Sequence, residues 1–132
     1  MTGGAALGVV PLGLNRLRST VRAFFQSEWE EASLRTALGD AAPRYRNRPE
    51  VRKRTKTGRH RALTFMKEAL PEVPDNGRAF VAAFVMTTVS VVGKRVSEEA
   101  CSKSEVDAWA LAMGEMLCGY LRGLAERKRS EQ

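Results

Sequence analysis

Residues 79–93 read AFVAAFVMTTVSVVG, a run without a charged side chain. Apolar and small residues occur at every position around a helix here, without the alternation that is typical of a half-buried strand. A helix of this kind must be covered from all sides. The run is too short and too rich in Thr and Ser to cross about 30 Å of hydrocarbon. We therefore interpret it as a core helix of a soluble, cytoplasmic protein without a membrane span.

Helical periodicity continues on both sides of this run. Asn15 is placed as the N-cap of a first amphipathic helix, and Pro49 fits the first turn of another, where its missing N–H costs nothing. Ser104 and Asp107 resemble a capping box at the start of a last helix. The sequence predicts an all-α bundle of about five helices, over 15–31, 33–38, 49–70, from 75 onward, and 104–127.

These helices are expected to form one domain over residues 14–127. Residues 1–13 are rich in Gly and Ala, contain Pro11 and have no periodic pattern, which predicts a flexible lead-in. Residues 128–132 are expected to be a disordered tail.

The composition excludes several classes of function. In 132 residues the chain has two cysteines and one histidine, which cannot form a Cys₂His₂ or Cys₄ zinc site or a disulfide framework. The sequence has no Gly-rich phosphate loop and no nucleophile paired with a base. We expect no metal, no cofactor and no enzymatic activity.

Positive charge is concentrated in one segment. Residues 44–61 have nine Lys and Arg and one acid, Glu50, in a chain whose formal net charge is +7. A compact basic patch attracts phosphates, so one interpretation is a nucleic-acid-binding module that uses Arg52, Lys53, Lys56 and Arg59. The other is the solvated face of a surface helix. The sequence leaves both open.

The helix around residues 79–93 and the last helix have more apolar surface than one small domain can cover. A second copy of the chain is an economical cover, which predicts a homodimer through a four-helix interface. The alternative is that the first of these helices is the centre of a monomeric bundle. The candidate interface residues are Ala83, Val91, Leu111, Gly114 and Cys118.

Three segments resemble the C-terminal domain of TetR-type transcriptional regulators. FFQSEWEEASLRTALGDAAPRYRNRPEVRKRTKTGRHRALTFMKEALP, residues 24–71, is similar to the region where one helix ends, a short helix follows, and a long helix begins after a turn with Pro. FVAAFVMTTVSVVGKRV, residues 80–96, and SKSEVDAWALAMGEMLCGYLRGLA, residues 102–125, resemble the two final helices. The resemblance covers about residues 14–127.

The resemblance implies a homodimer that binds a small-molecule effector between its helices. In the family an N-terminal helix-turn-helix domain reads DNA, and no recognition helix precedes residue 14 here, so DNA would be reached only through a missing N-terminal domain or a full-length partner. By position, the candidate ligand-binding residues are Phe25, Glu28, Trp29, Phe65, Phe84 and Thr88. The same aromatic residues would also serve as ordinary core, and Glu28 could simply reach solvent or an arginine.

Overall fold

The computed structural model describes residues 3–38 and 49–131, with side-chain environments from residue 13 in the first range and from residue 56 in the second. These residues form four helices and no strand: α1 Gly3–Leu38, α2 Pro49–Ala69, α3 Asp75–Glu99 and α4 Lys103–Glu131. The predicted all-α class is confirmed. The predicted number of about five is one too many within the described ranges.

Helix α1 accounts for the difference in number. It continues through residues 31–38 without a break, so the separate helix predicted over 33–38 is the last part of α1. The hydroxyls of Ser33 and Thr36 donate to the carbonyl oxygens of Trp29 and Ala32, at 3.2 and 3.0 Å. These side chains therefore bond back along the helix and do not end it.

The start of α1 also differs from the sequence prediction. The helix begins at Gly3, so residues 3–13 are helical where an irregular lead-in was expected, and Asn15 lies inside the helix and is not its N-cap. Asn15 Oδ1 accepts a hydrogen bond from Nη1 of Arg18 at 2.9 Å. The Asn15 side chain therefore bonds to a neighbour on the helix surface. The general preference of Asn for N-cap positions led to the wrong prediction here.

The start of α4 lies one residue earlier than predicted. The hydroxyl of Ser102 accepts a hydrogen bond from the backbone N–H of Glu105 at 3.2 Å, and the Glu105 carboxylate accepts one from the backbone N–H of Cys101 at 3.2 Å. This reciprocal pair caps the helix at Ser102. The capping box predicted from Ser104 and Asp107 is therefore wrong, and Asp107 is free to interact elsewhere.

Helix α1 lies at the centre of the bundle and packs on α4, α3 and α2. Its polar side chains give the direction of α4: Arg18 Nε lies 2.8 Å from a Glu115 carboxylate oxygen, and Gln26 Nε2 lies 2.7 Å from Asp107 Oδ1. Because the partner number falls as the α1 number rises, the two helices are antiparallel. The buried core of this packing comprises Leu14, Leu17, Val21 and Phe25 of α1 and Val106, Ala110, Met113, Leu117, Cys118 and Leu121 of α4.

Helix α3 is covered on one side only. Val81, Ala82, Val85 and Val96 are buried against the other helices, but the cover on all sides that the sequence predicts is not present among the described residues. Phe80 and Val91 are 64% and 63% exposed on its other side. Within the described residues, apolar surface of α3 thus remains open to solvent.

Candidate functional site: an open helical face and an apolar cavity

Helices α3 and α4 share an apolar surface, which we call the open face. It consists of Phe80, Phe84 and Val91 of α3 with Trp109 and Met116 of α4, all exposed. The rings of Phe80 and Phe84 stack with centroids 6.2 Å apart, and Phe84 lies 5.3 Å from the ring of Tyr120 on α4. The contact between Phe84 and Tyr120 joins the two helices at this surface, and helical spacing puts Trp109 and Met116 on the same side of α4 as Tyr120.

The residues predicted for a dimer interface do not all lie on this face. Ala83 and Val91 are on the exposed side of α3. Leu111 is exposed, but it lies on the flank of α4 beside Arg18 and Arg22 of α1.

The other two predicted interface residues face the inside of the monomer. Gly114 lies against Arg18, whose Cγ would be 3.4 Å from a Cβ at that position. Cys118 is fully buried, and its Sγ lies 3.6 Å from the carbonyl oxygen of Leu14. Both residues are therefore part of the packing of α4 on α1.

A cavity of about 420 Å³ lies at one end of the bundle, and we call it the α1–α2–α4 cavity. Three parts of the chain meet there: α1 near residues 13–16, the end of α2 with the turn that follows it, and the last turns of α4. Its apolar walls are Leu14, Phe65, Ala69, Leu70, Val73, Leu121 and Ala125. A volume of roughly 300–1,000 Å³ with mainly apolar walls is typical of small-molecule sites.

Five charged residues lie around this cavity: Arg16, Arg122, Lys128, Glu68 and Glu72. Arg16 forms an ion pair with Glu68 at 3.4 Å, and its guanidinium carbon lies 5.7 Å from the centre of the Phe65 ring. Lys128 pairs with Glu131 at 3.3 Å. Arg122 is partly buried and has no ion pair or hydrogen bond within the part of the chain that the structure describes.

Only one of the six predicted ligand-binding residues lines the cavity. Phe65 forms part of its wall, whereas Phe25 is buried in the core against Gly93 and Trp29 packs on the core from its edge. Glu28 is partly buried.

The remaining two candidates are on α3. Phe84 belongs to the open face, and the Thr88 hydroxyl donates to the Phe84 carbonyl oxygen at 2.7 Å. The sequence did not indicate Arg122 or Ala125, because the cavity joins the ends of three elements that are far apart in the chain.

The basic residues of α2 are exposed where the structure describes them. Lys56, Arg59, His60 and Arg61 are all open to solvent. The side chains of Arg52 and Lys53 lie outside the part of the chain whose side chains the structure describes. The described part of this face therefore offers positive charge and no aromatic side chain for stacking.

Two titratable groups between α1 and α4 are perturbed. The hydrogen bond from Gln26 is the main reason why the pKa of Asp107 lies below its ordinary value of 3.8, and Arg22, whose Nη2 is 3.3 Å away, acts in the same direction. Burial raises the pKa of the Cys118 thiol above its ordinary value of 9.0. Cys118 is therefore a protonated, packed side chain at neutral pH and not a nucleophile.

Within residues 3–38 and 49–131, no group of three or more His, Cys, Asp and Glu is arranged to hold a metal ion. Length and composition alone would let α3 cross a membrane, since its mean hydropathy over the most apolar window is 1.5. A core helix of a soluble protein has the same character. Helix α3 packs on α1, α2 and α4, and 28% of that window is buried.

Comparison with protein families gives one match that covers most of the chain. The family model described as "Tetracyclin repressor-like, C-terminal domain" matches residues 11–124. A search of curated proteins gave no significant match. The matched range includes the open face and most residues of the α1–α2–α4 cavity, and Ala125 and Lys128 of the cavity lie beyond it.

Proposed function

Because the chain belongs to the family of tetracycline repressor-like C-terminal domains, we propose that it is the effector-binding and dimerisation domain of a cytoplasmic transcriptional regulator. It responds to a small molecule, requires no cofactor and catalyses no reaction. DNA is contacted by a DNA-reading domain of a longer protein or of a full-length partner. The open face is the observation that carries this proposal.

The open face supports a homodimer. Burial of its large side chains would stabilise a dimer by roughly 25 cal/mol per Å² of apolar surface removed from water. A two-helix surface that meets its own copy across a two-fold axis forms a four-helix interface in which every contact occurs twice. Phe80, Val91 and Trp109 would be buried in this arrangement, whereas the isolated chain leaves more than half of each exposed.

The cavity supports the effector-binding part of the proposal. It lies between α1, α2 and α4, so a ligand would contact the helix α4 that also contributes to the open face. A ligand that binds one arrangement of these helices more tightly than another shifts their populations by that difference in affinity. In a regulator, this shift changes the spacing of the two DNA-reading domains.

Sedimentation velocity tests the dimer. The wild-type chain should sediment as a dimer of a 14.6 kDa subunit, and Val91→Arg and Ala83→Arg should sediment as folded monomers because two guanidinium groups would be forced together at the two-fold interface. Thr64→Arg on the exposed side of α2 is the matched control and should remain dimeric. Gly114→Arg is unsuitable, because it would clash with Arg18 inside the monomer.

A monomeric wild-type chain, or dimers that persist in both α3 variants, would contradict the proposed interface. Recovery of the wild-type chain with lipid vesicles, together with monomers in their absence, would point to a membrane surface as the cover of α3.

A second candidate function is favoured by the exposed basic residues of α2. Lys56, Arg59 and Arg61 have no ion pair among the described residues, so they are available to nucleic-acid phosphates. Fluorescence anisotropy with a labelled DNA duplex should then show log affinity falling linearly with log salt, and replacement of Arg52, Lys53, Lys56 and Arg59 by Gln should reduce that slope. A variant with Lys94→Gln and Lys103→Gln on other helices is the control, and equal loss in both variants would reject a site on α2.

A further inference from the structure

We propose that the α1–α2–α4 cavity binds an amphipathic monoanion, with an aliphatic chain along its apolar walls and a carboxylate at Arg122. This inference rests on the proposed effector-binding function and gives the chemical class of the effector. It is based on the walls of the cavity and on the charges at its edge.

The walls select an apolar ligand body. Phe65, Val73 and Leu121 come from three different elements and line a half-open space of about 420 Å³. No buried polar side chain of the described residues lines this space, so a ligand inside it would exchange water for apolar contacts. An alkyl chain of about ten carbons fits such a volume, and each buried CH₂ contributes roughly 0.8 kcal/mol.

The charges select an anionic end group. Of the three cations around the cavity, Arg16 and Lys128 already have carboxylate partners, Glu68 and Glu131. Arg122 has none within the described residues and is partly buried. A guanidinium that has lost part of its hydration and has no counter-ion is well matched by a carboxylate, which accepts two parallel N–H bonds.

A cationic ligand would gain less binding free energy in this cavity than an anionic one. Glu68 is engaged by Arg16, and Glu72 is exposed on the turn after α2, where water already solvates its carboxylate. An ion pair with an exposed carboxylate contributes about 0–1 kcal/mol. The sign of the ligand charge is therefore set by Arg122.

Isothermal titration calorimetry with decanoate, decan-1-ol and decyltrimethylammonium, each below its micelle concentration, tests the proposal. Decanoate should bind most tightly, and Arg122→Gln should weaken decanoate binding about tenfold or more while leaving decan-1-ol nearly unchanged. The matched control is Arg127→Gln, which removes the same charge from an exposed position of α4 outside the cavity. Ala125→Trp should fill the cavity and abolish binding of every probe.

The outcomes separate this inference from the proposed function. Tighter binding of decyltrimethylammonium, or equal weakening by Arg122→Gln and Arg127→Gln, would overturn the anionic class and leave an effector cavity in place. Binding that survives Ala125→Trp in a variant of unchanged melting temperature would overturn the cavity itself. No detectable binding of decanoate would reject the inference, whereas the sedimentation experiment tests the dimerisation domain independently.

Discussion

Arg78, in the first turn of α3, reaches back and donates from Nη1 to the carbonyl oxygen of Leu70, 3.2 Å away at the end of α2. The same nitrogen lies 3.3 Å from the Pro71 carbonyl oxygen, and Nη2 pairs with the Asp75 carboxylate. A cation near a helix N-terminus is normally unfavourable, because the helix dipole is positive there. Arg78 instead adds a donor to carbonyls at the end of the preceding helix, where the Leu70 oxygen also accepts the backbone N–H of Val73 at 3.2 Å.

Arg78→Ala should therefore destabilise the protein. The side chain is 16% exposed, and its removal leaves two carbonyl oxygens at the α2–α3 turn without this donor. We expect a loss of about 2 kcal/mol in the free energy of unfolding, measured by urea denaturation at fixed protein concentration. Arg61→Ala, on the exposed side of α2, should change it by less than about 0.5 kcal/mol. Equal effects of the two changes would show that Arg78 does not hold the turn.

Two buried glycines should respond oppositely to Ala. A Cβ at Gly93 would lie 2.9 Å from Phe24 Cε2 and 3.4 Å from Phe25 Cε1, so either the Phe24 ring or the backbone of α3 would have to shift. A Cβ at Gly114 would meet Arg18 Cγ at an ordinary 3.4 Å. Gly93→Ala should thus destabilise by about 1–2 kcal/mol through overpacking, whereas Gly114→Ala should gain up to about 1 kcal/mol of helix propensity.

Urea unfolding midpoints at equal protein concentration measure both changes, provided that the denaturant slope is unchanged. If Gly93→Ala were as stable as the wild type, the contact between α1 and α3 would be looser than the structure has it.

The sequence predicted the helical class and most of the packing faces, because they depend on local periodicity. Helical spacing puts Met66 of α2 on one stripe with Ala62 and Phe65, and Met66 is buried, whereas Lys56 and Lys67 on the opposite side are exposed. Periodicity could not decide the orientation of α4, since apolar residues lie on more than one of its faces. Cys118 is one of the predicted interface residues, yet it lies against α1. Trp109 has helical spacing with the buried residues Val106 and Met113, yet it is 52% exposed.

The cavity was beyond sequence-based prediction for a different reason. Its wall joins Phe65 of α2 to Leu121 and Ala125 of α4, which no local pattern connects. Phe65 was found because it is an aromatic residue on the inner side of a helix. Arg122 gave no such signal, because a charged residue in a last helix is ordinarily solvated.

Acid sensitivity should be reduced when Asp107 is replaced by Asn. The hydrogen bond from Gln26, at 2.7 Å, is the main cause that lowers the pKa of Asp107 in the folded state. A carboxyl whose folded pKa lies below its unfolded value stabilises the protein above that unfolded value, near 3.8, and this stabilisation is lost as the pH falls through the folded pKa. Asp107→Asn should therefore lose stability less steeply than the wild type between about pH 5 and pH 3.

The free energy of unfolding at a series of pH values measures this difference, and Glu126→Gln on the exposed part of α4 is the control. A carbon-detected NMR titration of Asp107 adds a direct readout, since Gln26→Ala should move its pKa back toward 3.8. A pKa that does not respond to Gln26→Ala would mean that this hydrogen bond does not form in solution.

The two cysteines should differ strongly in reactivity. Cys101 is exposed between α3 and α4, whereas Cys118 is buried between α1 and α4. Because the thiolate is the reacting species and burial raises the pKa of Cys118, modification of Cys118 requires an opening of the bundle. At pH 8, one thiol should react rapidly with Ellman's reagent, and a Cys101→Ser variant should retain only the slow phase.

The free energy of unfolding above pH 8 provides a second measurement of how strongly burial raises the pKa of Cys118. The pKa of Cys118 is higher in the folded protein than its ordinary value of 9.0, which we take for the unfolded chain. The contribution of the Cys118 thiol to the free energy of unfolding is therefore complete below pH 9.0. It declines as the pH rises toward the pKa of the folded protein, because the unfolded chain loses the thiol proton first. In a Cys101→Ser background the decline attributable to Cys118 should reach at most about 0.8 kcal/mol at pH 9.5, and Cys118→Ala should remove it. Fast labelling of Cys118 in the folded protein, or an identical alkaline decline in the Cys118→Ala variant, would be incompatible with a thiol packed against the Leu14 carbonyl.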